Sequence, residues 1–251
     1  MLEVSGITQI FGGVTALEDV SFAIRKGDIT GIIGPNGAGK TTLFNIISGI
    51  YTQTSGRVML NSRDVTGLPP EKLAMLGMVR TFQNIELFGG MSVMENVMVG
   101  LHTRSSSGLM ACSLRLPWSR KEEHRIRADA RQWLEFTGIS ELADVTAGNL
   151  SFGKGRMLEI ARALAVEPGI ILMDEPAAGL NSQETLELAR LIRRIRDLGI
   201  TVVLVEHDME LVMDICDRIV VLNLGFKLAE GTPGEIQENH DVIAAYLGDD
   251  D

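Results

Sequence analysis

Residues 34–41 are the segment that most constrains how this chain can fold. They read Gly-Pro-Asn-Gly-Ala-Gly-Lys-Thr, after an apolar run and before a segment of helical pattern at 41–50. All eight positions match the phosphate-loop pattern. Glycines let backbone N–H groups converge on phosphate oxygens at a helix N-terminus, Lys40 reaches the β and γ phosphates, and the Thr41 hydroxyl binds Mg²⁺. We therefore predict a strand, loop and helix that bind a nucleoside triphosphate.

The loop and the start of the following helix supply most of the predicted nucleotide contacts. These residues are Gly34, Pro35, Asn36, Gly37, Ala38, Gly39, Lys40, Thr41 and Thr42. The loop alone does not separate kinases, GTPases and motor ATPases, because all of them share it.

An acidic pair follows a second apolar run, Ile-Ile-Leu-Met at 170–173. Asp174 can hold the Mg²⁺ shell, and Glu175 can polarise the attacking water. Taken alone, an acidic pair after a strand is more often a helix cap. Together with the phosphate loop upstream, the pair favours nucleotide hydrolysis.

Two further polar residues are ambiguous from the residues alone. His207 closes the apolar run at 201–206, at the edge where sheets of this type bind ligands. Gln83, in Val-Arg-Thr-Phe-Gln-Asn, could reach Mg²⁺ and water as a neutral amide. Taken alone, a histidine at a strand end is usually just a polar terminus, and Gln83 could instead be a surface loop residue.

The order of elements predicts an α/β fold with a mainly parallel core sheet. Apolar runs at 169–174 and 201–207 flank a helical segment, which implies a strand, a crossover helix and a parallel strand. Short β-rich runs within 2–33 and a strand pair at 57–65 predict an N-terminal antiparallel β subdomain. The buried stripe expected on the crossover helix is Leu188, Leu191, Ile192, Ile195 and Leu198.

The middle of the chain has a different pattern. Residues 84–165 fit an inserted α-helical subdomain, within a single domain that spans 1–251. A helix beginning near Ser92 carries a capping box with Glu95.

The net charge of the chain argues against binding to nucleic acid. Its 33 acidic and 23 basic residues give a net charge of -10, whereas a nucleic-acid binder normally carries a basic field. Cys112 and Cys216 fit neither a disulfide framework nor a zinc site, and we expect two reduced thiols. No secretory pattern and no apolar run of ~20 residues is present, so we expect a protein that can dock on a membrane protein without spanning the bilayer.

The order of these motifs resembles the ATP-binding subunits of ABC transporters. The phosphate loop, Gln83, Leu-Ser-Phe-Gly-Lys at 150–154, the acidic strand, Ala-Ala-Gly-Leu-Asn at 177–181 and His207 follow in the order of that family. The resemblance covers about residues 2–248. It implies the P-loop NTPase architecture of the ABC ATPase fold, with ATP and Mg²⁺ as ligands.

The resemblance also implies roles for individual residues. Phe11 would stack on adenine, Gln83 would link Mg²⁺ to the membrane partner, and His207 would contact the γ-phosphate. Ser151 and Gly153 would serve the ATP of an opposite subunit. A short oxygen group and a residue without Cβ are what that task needs.

The pentapeptide at 150–154 departs from the family signature Leu-Ser-Gly-Gly-Gln at two positions. Phe152 resembles the amino-acid importer branch, where an aromatic residue is usual. Lys154 is unfavourable with the helix dipole by ~0.3–1 kcal/mol unless an anion is near. A nucleotide phosphate, the facing subunit or simple solvation of the side chain all stay open for it. We expect the signature to be competent.

Longer segments are similar to importers of branched-chain amino acids and of related amides or urea. They are residues 10–22, 79–97, 174–181, 228–236 and 241–248. The similarity implies a second ATPase subunit, two membrane permease subunits and an extracytoplasmic solute-binding protein as partners. It places the chain peripherally at the cytoplasmic face of the inner membrane.

For three features of the sequence, two interpretations remain open. Asn181 stands where most of the family has Asp, and both a contact across the dimer and a helix cap completed by Glu184 are compatible with it. Leu87, Phe88 and Met91 would form an exposed groove for a permease helix, or would pack inside the helical lobe. The second ATPase subunit can be identical or a paralogue.

Other classes of protein explain less of the sequence. A non-transport ABC ATPase predicts a coiled-coil insertion, tandem cassettes or a basic face, and the sequence has none of these. A P-loop kinase or GTPase leaves residues 150–154 and the acidic pair unexplained. We therefore expect an ATPase that powers import, with the solute left open.

Overall fold

The computed structural model describes residues 1–83, 85–102 and 117–247, without the side chains of residues 102, 117–122 and 247. The chain divides into two compact units. The first comprises residues 1–83, 169–178 and 185–251, and the second comprises residues 84–168 and 179–184.

The described strands and helices are numbered along the chain. The strands are β1 (Leu2–Phe11), β2 (Val14–Ile24), β3 (Ile29–Ile33), β4 (Ser55–Leu60), β5 (Arg63–Asp64), β6 (Met78–Thr81), β7 (Ile170–Asp174), β8 (Thr201–Val205), β9 (Arg218–Asn223) and β10 (Phe226–Gly231). The α-helices are α1 (Lys40–Ile47), α2 (Pro70–Met75), α3 (Val93–His102), α4 (Pro117–Phe136), α5 (Phe152–Ala165), α6 (Ser182–Asp197), α7 (Met209–Ile215), α8 (Pro233–Gln237) and α9 (His240–Leu247).

The first unit contains two sheets. Strands β2, β1, β4 and β5 form an antiparallel sheet in that order. The second sheet has the order β10-β9-β3-β8-β7-β6, in which all neighbours are parallel except β10 and β9. Every residue of β3, β7 and β8 is buried, as expected for parallel strands covered on both faces. Both the parallel core sheet and the N-terminal antiparallel β subdomain are thereby confirmed.

Two helix ends differ from the prediction. Helix α1 ends at Ile47 rather than at residue 50, because Gly49 turns the chain with a φ of 76° and a Cβ there would overlap the Leu68 carbonyl oxygen. On the crossover helix α6, the first four residues of the predicted stripe are buried, but Leu198 is 53% exposed. Leu198 follows the last helical residue, where Gly199 turns the chain with a φ of 83°.

The second unit is helical. Helices α3, α4 and α5 pack against one another. The predicted capping box of α3 is present: the Ser92 N–H donates to Oε2 of Glu95 at 2.8 Å, and the Glu95 N–H donates to Oγ of Ser92 at 3.2 Å. An inserted subdomain at residues 84–165 stays a prediction.

The sequence also led us to expect a chain that does not span the bilayer and two reduced thiols. Within the part of the chain that the structure describes, no helix has the length and apolar character that crossing a bilayer requires. Cys216 is a free, buried thiol, and burial raises its pKa to about 12. Cys112 lies outside the described residues.

Close helix packing in the second unit gives a test of this arrangement. A Cβ at Gly100 in α3 would lie 2.6 Å from the carbonyl oxygen of Arg162 in α5. Gly100→Ala must therefore separate the two helices, and we expect a loss of ~1–3 kcal/mol in unfolding free energy. Urea denaturation of the purified chain measures this loss.

Gly234 in α8 is the matched control, because a Cβ there would meet no atom within 4 Å. Gly234→Ala should leave the stability unchanged or raise it by up to ~1 kcal/mol, since alanine favours helix over glycine. Equal midpoints for Gly100→Ala and the wild type would contradict the packing.

Candidate nucleotide-binding site

The phosphate loop joins β3 to α1 at the carboxyl end of the parallel sheet. Gly34, Gly37 and Gly39 have φ angles of 152°, 78° and 96°, a region that favours glycine. A Cβ at Gly34 would overlap the carbonyl oxygen of Leu222. The loop can therefore take this path only with glycine at its first position.

Lys40 lies inside the loop. Its side chain is buried, and Nζ donates to the carbonyl oxygens of Gly34 at 2.7 Å and Pro35 at 2.8 Å. Burial lowers the pKa of Lys40 below its ordinary value, and the charge of Glu175 opposes that shift. A cation is thus held within a ring of backbone groups at the start of a helix, where anions bind favourably.

A cavity of about 530 Å³ opens beside the loop. Seven of the predicted nucleotide contacts line it: Asn36, Gly37, Ala38, Gly39, Lys40, Thr41 and Thr42. Glu175 and His207 line the same cavity. The structure therefore brings the loop, the acidic strand end and the histidine together at one edge of the sheet.

Glu175 lies between two polar partners. Its Oε1 is 3.1 Å from Nε2 of His207, and its Oε2 accepts a hydrogen bond from Nε2 of Gln83 at 2.6 Å. Its backbone has a φ of 44°, which is strained for a residue with a side chain. Such strain persists only where surrounding contacts fix the residue, and here the Glu175 N–H donates to the carbonyl oxygen of Val205 at 2.9 Å.

Asp174 has a partner that the sequence did not reveal. Arg80 in β6 donates from Nη2 to Oδ2 of Asp174 at 2.6 Å, and from Nη1 to Oδ1 of Asn45 at 2.7 Å and Oγ of Ser48 at 2.6 Å. The guanidinium also lies 5.0 Å from the centroid of the Phe44 ring. Arg80 thereby ties the acidic strand end to α1, the helix of the phosphate loop.

The predicted adenine contact, Phe11, is not among the residues that line this cavity, although it pairs with Val14, which does line it. Phe11 is 44% exposed and makes an edge-to-face contact with Tyr51 at 5.7 Å between ring centroids. Among the described residues that line the cavity, Val14 and Leu224 are large apolar residues with exposed surface. Stacking of Phe11 on adenine therefore stays a prediction.

The residues present fit a magnesium nucleotide. Thr41, Asp174 and Gln83 offer hydroxyl, carboxylate and amide oxygens, which are the hard ligands that Mg²⁺ prefers. Oδ2 of Asp174 accepts a hydrogen bond from Arg80, which would hold this carboxylate in place for a metal. The buried Lys40 ammonium and the glycine backbone supply donors suited to phosphate.

The signature residues belong to the second unit. Ser151 is the N-cap of α5, and its Oγ accepts the Lys154 N–H at 3.4 Å. Gly153 is buried, and a Cβ there would overlap the carboxylate of Glu184. The absence of a Cβ at this position is therefore already required within the chain itself.

Asn181 is a helix cap. Its Oδ1 accepts the N–H groups of Gln183 and Glu184, each at 3.0 Å, and Oε2 of Glu184 accepts the Asn181 N–H at 3.0 Å. The cap predicted from the sequence is thus confirmed. A contact of Asn181 across a dimer stays a prediction.

The residues expected to meet a permease are partly exposed. Phe88 and Met91 are exposed, and Leu87 is half-buried. The Arg162 guanidinium lies 5.5 Å from the centroid of the Phe88 ring. Phe88 and Met91 are therefore not packed inside the helical lobe, which was the other interpretation.

Comparisons with known families agree with this geometry. The family model described as ABC transporter matches residues 17–178. A second model, described as branched-chain amino acid ATP-binding cassette transporter, matches residues 227–251.

Relatives and solved structures extend the similarity over nearly the whole chain. The chain is 46% identical to the high-affinity branched-chain amino acid transport ATP-binding protein BraF of Pseudomonas aeruginosa, covering 99% of this chain and 98% of the relative. It is 45% identical, with the same coverage, to the transport ATP-binding protein LivG of Escherichia coli K12, which has the same description.

Among solved structures, the ADP conformation of an ATP-binding cassette of an ABC transporter is 34% identical, with a TM-score of 0.86 and coverage of 99% of this chain and 98% of the other. A dimeric cassette in a post-hydrolysis state with ADP and Pi is 26% identical, with a TM-score of 0.78 and coverage of 93% and 99%. The chain therefore belongs to the ABC transporter family, as one of its ATP-binding, ATP-hydrolysing cassettes.

Proposed function

We propose that this chain hydrolyses ATP to power an importer of branched-chain amino acids or related small amides. The observation that carries the proposal is the Glu175 carboxylate, held between His207 and Gln83 on the cavity of the phosphate loop. The family match of residues 227–251 and the similarity to BraF and LivG support the class of solute.

The residues of the site divide the chemistry among them. The glycine backbone and Lys40 bind the β and γ phosphates and balance their charge. Glu175 would accept a hydrogen bond from the attacking water and orient it, and His207 would contact the γ-phosphate. Thr41, Asp174 and Gln83 would hold Mg²⁺, which supplies further neutralisation of phosphate charge when bound. Phe11 would complete the site by stacking on adenine.

A second cassette is part of the proposed cycle. Ser151 and Gly153 would face the ATP of that second subunit, which is either identical to this chain or a paralogue. The similar dimeric cassette with ADP and Pi supports such an arrangement. ATP would favour the closed dimer and hydrolysis would reopen it, so that differential affinity for the two states moves the permease.

The remaining partners would meet the helical part of the chain. We assign residues 84–165 to an inserted helical subdomain, with exposed Phe88 and Met91 as part of the surface for two permease subunits. The chain would then lie peripherally at the cytoplasmic face of the inner membrane, and an extracytoplasmic binding protein would deliver the solute.

The hydrolytic role of Glu175 is tested by Glu175→Gln. We expect ATP turnover to fall by about 10²–10⁴-fold, the usual contribution of a general base, while ATP still binds. Because hydrolysis no longer reopens the dimer, size-exclusion chromatography with light scattering should show a dimer that retains two nucleotides. Glu210→Gln, at an exposed carboxylate in α7, should behave as wild type. A Glu175→Gln protein with normal turnover would refute the assignment.

The role of Ser151 is tested by Ser151→Asp. Aspartate preserves the N-cap of α5 and should keep the thermal midpoint, but its charge would face the phosphate of the second subunit. We expect turnover to fall at least about tenfold, with ATP binding to the isolated chain unchanged.

Thr232→Asp is the matched control, since Thr232 is also a helix N-cap, at α8, with its side chain accepting the Glu235 N–H. This variant should keep normal turnover. Equal turnover in Ser151→Asp and Thr232→Asp would show that Ser151 serves only as a cap.

The solute class is tested by uptake in cells. A strain that lacks the gene for this chain should lose uptake of radiolabelled leucine, isoleucine and valine at low external concentration, and should keep lysine uptake. The wild-type gene should restore uptake and the gene carrying Glu175→Gln should not, because transport requires hydrolysis. Normal leucine uptake in the deleted strain would argue against this class of solute.

A further inference from the structure

Glu206 is a buried carboxylate directly before His207. Only 4% of the residue is exposed. Its Oε1 accepts the Ala177 N–H at 2.7 Å, and its Oε2 accepts the N–H groups of His207 at 3.0 Å and Asp208 at 3.3 Å. A single side chain thus joins the loop after β7 to the loop after β8.

The bridge begins where the sheet stops. Strands β7 and β8 pair up to Asp174 and Val205, and the Glu175 N–H still donates to the Val205 carbonyl oxygen. After Glu175 and Val205, no further backbone pairing joins these two segments among the described residues. Past the end of the backbone pairing, the Glu206 carboxylate joins the two loops through side-chain hydrogen bonds.

Burial of this carboxylate has an energetic cost. Burial raises the pKa of Glu206, while the N–H donors of Ala177, Asp208 and His207 lower it. Buried carboxylates are retained where several donors satisfy them, because an unsatisfied charge in the interior is strongly unfavourable. All three donors are backbone N–H groups, so the carboxylate fixes the course of the two loops.

We infer that Glu206 is a positioning residue for hydrolysis, which sets the spacing between Glu175 and His207. Glu175 lies two residues before Ala177, and His207 follows Glu206 directly, so the bridge spans the same gap as the 3.1 Å contact between Glu175 and His207. Glu206 does not touch the reacting atoms. The inference rests on the proposed roles of Glu175 and His207.

The test is Glu206→Gln in the full-length chain. The variant keeps the shape of the side chain but has one oxygen, and its NH₂ group cannot accept an N–H donor. In either orientation at least one backbone N–H faces that NH₂ group, and the spacing of the loops must change. We expect kcat to fall at least about tenfold with the KM for ATP unchanged, because the phosphate loop is untouched.

Partial unfolding of the variant would also lower the apparent kcat, so it must be controlled for. Turnover is therefore expressed per ATP bound, and Glu206→Asp is measured alongside, since its carboxylate is too short to reach both loops and should lower kcat in the same way. Glu210→Gln, an exposed carboxylate four residues on, should keep the kcat of the wild type. An unchanged kcat in both Glu206 variants, or a raised KM with normal kcat, would overturn the inference.

A double-variant cycle separates positioning from general stability. If Glu206 acts through His207, then adding Glu206→Gln to His207→Ala should change the single-turnover rate by less than about twofold. A purely structural role predicts that the two losses multiply, and that outcome would also overturn the inference. Should Glu175→Gln and His207→Ala both turn over normally, the proposed site would fail; normal turnover of the Glu206 variants alone would refute only the role of Glu206.

Discussion

The close approach of the phosphate-loop backbone to its neighbours is the constraint on which the site depends. Gly34 lies against the Leu222 carbonyl oxygen of β9, and a Cβ at Gly39 would lie 2.8 Å from the Ala16 carbonyl oxygen of β2. The loop is thus confined between a strand of the parallel sheet and a strand of the antiparallel sheet. With Lys40 bonded to two carbonyl oxygens of the loop, its shape is fixed by close packing and by these hydrogen bonds. Preorganisation of this kind lowers the cost of binding an anion.

Polar side chains continue the order of the sheet past its carboxyl edge. Backbone pairing stops at the strand ends, and charged groups there must find partners because burial penalises an unpaired charge. Arg80 pairs with Asp174 and donates to Asn45 in α1, while Glu206 bridges the loops after β7 and β8. The residues assigned to hydrolysis are consequently held by others that take no part in it. Replacing Arg80 or Glu206 would leave their buried partners without a hydrogen bond. The loss of stability would then exceed the contribution of the hydrogen bonds alone, because the unpaired groups remain desolvated.

Local patterns predicted the parts of the structure that depend on local chemistry. The phosphate loop, the buried runs of β7 and β8 and the caps at Ser92 and Asn181 depend on residues close together in the chain. Arg80 and Glu206 gave no such signal, because Asp174 lies 94 residues from Arg80 and Ala177 lies 29 residues from Glu206. Leu198 satisfied the helical spacing but lies past the helix end, which a spacing rule cannot detect. Val14 was missed because exposed apolar residues are common, and only the cavity distinguishes it.

The signature helix shows how one carboxylate can satisfy several requirements at once. Glu184 completes the cap of α6 with Asn181 and also lies against Gly153 in the first turn of α5. A negative group is favourable at that helix terminus. Gly153 then has a structural reason to lack a Cβ, independent of any nucleotide. Of Ser151 and Gly153, Ser151 is the exposed residue, and its hydroxyl also caps the helix.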